Sequence, residues 1–433
     1  MLYKAINPEL FKFNRKRFMQ KMLPDSIAIF HSNDMMPRNG DTFFPFRQNS
    51  DLLYLSGLDQ EETVVVLFPD CAKEGYEEVA FIKETSERIA QWEGAKLSKE
   101  EAAEISGIDK VFWLSEMDAI LTEMILLSKR IYLNLAENYR FQQPVPSRDL
   151  RYAQELRAKY PLHKYHRSQP LLKQLRMLKS NFEIEVMQQA IDITDKAFHR
   201  VLEFVKPGVM EFEIEAEISN VFLRNRAKHH AYEPILASGK NACVLHYVSN
   251  DKKCQDGDLI LMDFGAEYGN YAADLSRTIP VNGQFTKRQA DVYNAVLRVM
   301  KTATDMLVPG TTLDEYNKEV GLLMQSELID LQLIDKTDIK NQDPDWPAYK
   351  TYFMHGTSHH LGLDVHDSSH KEAPFQSGMV FTCEPGIYIP EESIGVRIEN
   401  DILITDQEPI DLMQKIPREI EEIEELMNAN VLL

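Results

Sequence analysis

Two acidic residues on one short hairpin constrain this chain more than any other feature of its 433 residues. Asp263 and Asp274 lie in LILMDFGAEYGNYAADLSRT, residues 259–278. The apolar run 259–262 reads as a buried strand, and Tyr268-Gly269-Asn270 reads as a turn. A turn centred between Tyr268 and Gly269 sets Asp263 and Asp274 directly opposite each other on an antiparallel hairpin. A Gly269-Asn270 turn slips the pairing by two and leaves both on the same side. Carboxylates held side by side repel unless a cation lies between them.

A second stretch repeats the arrangement. FTCEPGIYI, residues 381–389, carries Glu384, runs through 390–395 and returns as VRIEND, residues 396–401. Period two puts Arg397, Glu399 and Asp401 on one face of the return strand, with Val396 and Ile398 on the other. Just before this hairpin, HGTSHHLGLDVHDSSH, residues 355–370, holds five of the twelve histidines: His355, His359, His360, His366 and His370. A lone histidine is commonly structural, but this density makes at least one a ligand. His246, in SGKNACVLHY at 238–247, occupies the comparable place before the first hairpin. Four carboxylates and a histidine make an oxygen-rich site for a pair of divalent cations.

The surrounding helices repeat too. Ser180 to Glu183 and Thr286 to Gln289 are capping boxes 106 residues apart. Behind them Val186, Met187, Ala190, Ile191, Thr194, Ala197 and Phe198, and then Val292, Val296, Leu297 and Met300, keep helical period. Pro207-Gly208 and Pro309-Gly310, 102 residues apart, end the two helices, and each is followed by a further amphipathic stretch. The order helix, helix, hairpin therefore occurs twice, as an internal duplication with the site between the copies. Residues 334–352 fit neither copy and read as a surface insertion.

Length suits two domains, 1–168 and 172–433. In the first, SIAIF (26–30), TVVVLF (63–68) and RIYLN (130–134) read as core strands of an α/β fold. A formal charge of −20, with acidic residues expected to be spread along the chain, argues against nucleic acid and anionic membranes as partners. Cys71, Cys243, Cys254 and Cys383 show no CxxC pair, so reduced thiols are expected. The start of the chain has no signal-peptide core, and a cytoplasmic location is expected. Trp92, between charges and beside Gly94, reads from its surroundings as a core or interface residue.

Four strings in order, MDFGAEYGNYAADLSRT, FMHGTSHHLGLDVHD, TCEPGIYI and GVRIEND, resemble the pita-bread metallopeptidases. That family includes methionine aminopeptidase, prolidase and aminopeptidase P. PFRQNSDLLYLSGL, residues 45–58, is similar to the accessory domain of bacterial aminopeptidase P, which extends the resemblance over most of the chain. The implied fold is α/β (α+β): a creatinase-like N-terminal α/β domain followed by a pita-bread catalytic domain. The resemblance implies Asp263, Asp274, His359, Glu384 and Glu399 as ligands of two metals, with Asp274 and Glu399 bridging. It makes Glu384 the general base, gives His246 and His366 substrate-side roles, and puts His355, Tyr232, Tyr388 and Arg397 around the pocket beyond the scissile bond. It also brings Trp92 to the site of a neighbouring subunit, against the first reading of that residue, in a homodimer or homotetramer. Carboxylate ligands favour Mn²⁺, with Co²⁺ or Zn²⁺ also accommodated.

The implied activity is metal-dependent release of the first residue from peptides with proline second. Prolidase, which would share all these residues, is the alternative, followed by a non-catalytic peptide-binding module on the same fold. The Asp263-Phe264-Gly265 triplet lacks the phosphate loop and catalytic loop of a kinase. Two departures from the family pattern border the cleft: the longer stretch 335–352, and His360 where an aromatic residue is expected.

Overall fold

The computed structural model describes residues 3–135, 137 and 144–429. The chain divides into two compact units that meet in sequence at Leu175 and Arg176.

The first unit is built on a six-stranded mixed sheet. Its order is Lys110–Trp113, Glu78–Ile82, Val64–Leu67, Ser26–His31, Arg130–Leu133, Lys164–Arg167. The three apolar runs of the sequence form its centre, where Ser26–His31 pairs antiparallel with Val64–Leu67 and parallel with Arg130–Leu133. Continuous apolar runs mark strands covered on both faces, and every residue of Ser26–His31 and Val64–Leu67 is buried. The string at 45–58 becomes a short helix, Ser50–Ser56. Asn49 caps it, and Gly57 ends it at φ 68° against the ring of Phe11. Trp92, on the helix Glu87–Glu93, is 83% exposed, which corrects the reading of it as a core residue.

The second unit holds the duplication. Helices Asn181–Phe204 and Lys287–Asp305 begin at the capping boxes of Ser180 and Thr286. Helices Glu211–Arg224 and Leu313–Asp330 follow. Between the members of each pair, Gly208 and Gly310 take φ of 100° and 98°, a turn that side chains resist. Each half then supplies a three-stranded sheet. Leu259–Phe264 lies between Ile235–Ser238 and Leu275–Pro280, and Asn400–Leu403 lies between Val380–Cys383 and Ile410–Asp411. The insertion forms the helix Lys336–Asn341 and a short turn, Ala348–Thr351, whose Tyr349 ring fills the space over Gly321.

The acidic residues are spread over both units roughly in proportion to length, but the basic ones are not. Residues 176–433 carry 43 of the 68 acidic side chains and 24 of the 48 basic ones, so the charge excess belongs almost wholly to this unit. The four cysteines are free thiols. Among the described residues, no helix is long and apolar enough to cross a membrane.

Candidate metal centre

Both hairpins break in the middle, and the carboxylates sit at the breaks. In the first, the turn is Gly269-Asn270, the second of the two registers the sequence allows: Tyr268 pairs with Tyr271, and Asp263 with Ser276. The ladder stops after Phe264 and resumes at Ala266. A Cβ on Gly265 would lie 1.7 Å from the carbonyl oxygen of Ala273, so the strands close to this distance only because residue 265 has no side chain. Asp274 follows the break, diagonal to Asp263 and on the same face. The Tyr232 hydroxyl reaches both, 2.5 Å from Asp263 Oδ1 and 2.5 Å from Asp274 Oδ1.

In the second hairpin, Cys383 pairs with Asn400 and Gly386 with Arg397, a single register that sets Glu384 opposite Glu399 in the gap. Residues 357–361 lie along the outgoing strand. Thr382 N donates to His359 O at 3.0 Å, Glu384 N to Thr357 O at 2.8 Å and Leu361 N to Val380 O at 3.1 Å. This pairing carries His359 to Glu384, and no local pattern in the sequence reveals it.

The two hairpins then meet. Glu399 N donates to Ser276 O at 3.0 Å, and Arg397 N to Thr278 Oγ1 at 3.2 Å. Arg277, fully buried, donates from Nη1 to Glu399 O at 2.8 Å and from Nε to Pro417 O at 2.8 Å. Arg397, Glu399 and Asp401 all reach the first hairpin, the face that period two assigns them. Arg397 donates to Asp263 Oδ2 at 2.6 Å, Ser276 Oγ donates to Glu399 Oε2 at 2.7 Å, and Asp401 Oδ2 accepts Asp274 N at 3.2 Å.

One ligand atom each from Asp274, His359 and Glu399 fall within 4.8 Å of one another. His359 Nε2 lies 3.4 Å from Asp274 Oδ2 and 3.7 Å from Glu384 Oε1. Its Nδ1–H donates to His360 O at 3.1 Å, which leaves Nε2 turned towards the carboxylates. Asp263 lies at the margin, held by Tyr232 and Arg397.

The electrostatics show what this grouping lacks. Burial pushes the Glu384 carboxyl up to about 7, with Asp274 and Asp263 adding to the rise while His359 and Arg397 oppose it. Burial and the charges of Asp274, Glu384 and Asp263 drive Glu399 well above the ordinary carboxylate range. Burial disfavours the charged form of His359, yet Asp274 and Glu384 raise it to about 9. Protons are therefore retained where the side chains crowd, and divalent cations would replace them. Four carboxylates and one imidazole suit a hard or borderline divalent ion, so the residues present fit a metal.

Beside the carboxylates runs a chain of hydrogen bonds. Arg397 Nη1 donates to the Tyr388 hydroxyl at 2.9 Å. The Tyr388 hydroxyl and His355 Nε2 are 2.8 Å apart, and His355 Nδ1 is 2.8 Å from Gly356 O. A carbonyl can only accept, so Nδ1 carries the proton and Tyr388 donates to Nε2. Burial and Arg397 lower His355 to about 4, so it is a neutral imidazole, while burial holds the Tyr388 phenol at about 12. The His366 ring packs edge-on against His359 with centroids 4.3 Å apart. His246 is exposed, within electrostatic reach of His355. The eleven predicted site residues of this unit thus gather around one centre, while Trp92 belongs to the other unit.

Three residues enter the site without having been singled out. Ser276 Oγ joins Glu399 to Arg397, whose Nε donates to it at 2.8 Å. Its place two residues after Asp274 is a signal that strand period could have supplied. Arg176 and Lys179 pair with the buried Asp367 beside His366, at 2.5 and 3.0 Å, across 191 and 188 residues of sequence. Nothing local points to them. His360, the departure from the family pattern, is buried against the Phe381 ring at 4.0 Å, and burial lowers it to about 3, so it serves as a neutral aromatic filler.

This fold and site define a metallopeptidase, and comparison with known proteins agrees. Residues 185–406 match the model of Metallopeptidase family M24, and residues 11–132 match the aminopeptidase P N-terminal domain. The chain belongs to family M24, with the accessory domain of aminopeptidase P, and is a divalent-metal peptide hydrolase. It is 34% identical over 443 residues to the Xaa-Pro aminopeptidase of Escherichia coli, covering 98% of each chain. It is 33% identical over 432 residues to that of Haemophilus influenzae, covering 97% of each. A structure of E. coli aminopeptidase P with the inhibitor Pro-Leu matches with a TM-score of 0.87 at 32% identity, covering 99% of this chain and 100% of that one.

Proposed function

We propose that the protein is a dinuclear-metal Xaa-Pro aminopeptidase that frees the first residue of peptides whose second residue is proline. The observation that carries this is the convergence of Asp263, Asp274, His359, Glu384 and Glu399 at the paired hairpin breaks, in a chain similar over its length to Xaa-Pro aminopeptidases. Pro-Leu, the inhibitor of the E. coli protein, is what remains when Xaa leaves Xaa-Pro-Leu, and this supports the aminopeptidase reading over a dipeptidase.

Those five side chains would hold two divalent ions, and Mn²⁺ is the best match to the donors. When bound, the ions supply Lewis-acid polarisation of the scissile carbonyl and activate a water for attack. Glu384 then takes a proton from the attacking water and passes it to the leaving proline nitrogen. His246 and His366 hydrogen-bond the scissile peptide and steady the charge that develops on its oxygen. Proline nitrogen has no N–H in the peptide, so the pocket of His355, Tyr388 and Arg397 needs no acceptor there and selects the ring by shape. Tyr232 holds Asp263 and Asp274 in place. Trp92 would serve a neighbouring subunit's cleft in a homo-oligomer.

The test offers a metal-free preparation, with and without Mn²⁺, an Xaa-Pro-Yaa tripeptide, the Xaa-Pro dipeptide and Met-Ala-Yaa. Metal-dependent release from the first alone is the expected result. Preference for the dipeptide makes the protein a prolidase, and no hydrolysis at all leaves a binding module.

A further inference from the structure

The loop that carries His246 is fastened from below by one buried carboxylate. Glu211 is the first residue of the helix Glu211–Arg224 and has no exposed surface. Its Oε1 accepts Ser238 N at 2.8 Å and Ser238 Oγ at 2.6 Å. Its Oε2 accepts the Tyr247 hydroxyl at 2.9 Å and Lys252 N at 3.0 Å. All four donors are neutral, and they belong to one segment. Ser238 opens it where the strand ends, Tyr247 adjoins His246, and Lys252 closes it. The Glu211 backbone N–H adds a bond to Lys252 O at 2.9 Å. A carboxylate at a helix N-terminus is favoured by the N–H groups that the first turn leaves without helical partners.

The rest of the loop is oriented towards the site. Cys243 Sγ donates to Ile394 O at 3.4 Å on the second hairpin, and Leu245, Tyr247 and Met354 pack against the buried cluster of Ile235, Ala237, Ala242, Leu261 and Tyr388. Asn250, at φ 46°, donates to Pro234 O and to Glu215 Oε2, both at 2.9 Å. His246 itself is exposed, so its place beside His355 depends on how its neighbours are anchored.

We propose that Glu211, acting through the Tyr247 hydroxyl, is a positioning residue that sets His246 against the scissile peptide. The inference rests on the substrate-side role given above to His246, and Glu211 is not itself a catalytic residue. Holding a reacting partner in place is worth orders of magnitude when the hold is complete, and part of that when one of several bonds is removed.

A double-mutant cycle of Tyr247→Phe and His246→Ala tests it, with metal content and Tm measured on each metal-loaded variant. Tyr247→Phe alone is expected to lower kcat about five- to tenfold, with KM, metal content and Tm little changed. In the His246→Ala background the same change is expected to have no further effect, because its target is gone. Glu211→Gln, which presents a donor to Lys252 N, is expected to fall with Tyr247→Phe and to be equally silent in that background. Losses that persist at equal size in the His246→Ala background, or full activity in Tyr247→Phe, overturn the proposal alone. Unchanged turnover in His246→Ala overturns both it and the assigned role of His246.

Discussion

Glu384 has two tasks in this account, ligand and proton carrier, and the geometry makes them separable. It lies opposite Glu399 in the gap of the second hairpin, with His359 at 3.7 Å and His355 at 3.9 Å. Glu384→Gln keeps the shape and one oxygen donor but cannot carry the proton, so kcat is expected to fall by a factor of about 10²–10⁴. Metal analysis of the same sample decides whether metal loss accounts for it, and a variant with both metals and full activity contradicts the mechanism. Asp367 gives a stability prediction at the same scale. Burial alone would raise its carboxyl, but Arg176 and Lys179 overcome this and hold it down at about 2, below the ordinary 3.8. A depressed carboxyl stabilises the fold above its unfolded pKa and loses that contribution as pH falls through the folded one. Asp367→Asn also takes from the buried Lys179 its carboxylate and leaves Arg176 paired with Asp364, at a cost of about 3 kcal/mol. Melting curves from neutral pH downward should show the gap between wild type and Asp367→Asn narrowing between about pH 4 and about pH 2. A gap independent of pH excludes the pair as its origin. The carboxylates proposed as ligands, Asp263, Asp274, Glu384 and Glu399, were legible because they sit on short hairpins whose faces follow from period two. The pairs that hold Asp367 were not, because their partners are brought together by the fold across 191 and 188 residues.

At the level of elements, the breaks in the hairpins are what aim the carboxylates. The first depends on Gly265, whose missing Cβ lets Ala273 O approach. Gly265→Ala forces the strands apart and is expected to cost about 3 kcal/mol of stability. The loss of metal affinity should be greater than for a comparable change in the helices. Equilibrium unfolding together with Mn²⁺ binding checks this, and an unaffected Kd removes the break from the account. Sequence left two registers open for this hairpin because Tyr268-Gly269-Asn270 supports either turn; the positive φ of both Gly269 and Asn270, 58° and 63°, shows which one formed. The capping boxes at Ser180 and Thr286 were readable as residues that satisfy orphan N–H groups. The strand-like pairing of 357–361 on 380–384 was not, since Gly356 to His360 carry no alternating pattern.

For the whole molecule, the duplication and the charge are the properties that matter. Two copies of helix, helix and hairpin place their broken strands against each other, so the centre is shared by both halves. The unit that contains it also carries 43 acidic against 24 basic residues. Such an excess draws cationic peptides and repels anionic ones, and salt screens both effects. Raising salt from about 0.05 to about 0.5 M should lower kcat/KM for an Xaa-Pro peptide rich in lysine and raise it for one rich in glutamate. Equal responses would mean that the excess lies away from the path of the substrate. Composition alone could not assign this charge, because a total of −20 has no address until the chain is divided. The most direct test of the central claim is a titration of metal-free protein with Mn²⁺, following bound metal and release from Xaa-Pro-Yaa in one sample. Two bound ions per chain at full activity, with both lost on removing Asp274 or Glu399, is the predicted result. Full activity without metal, or with a single ion, contradicts a centre built from both hairpins.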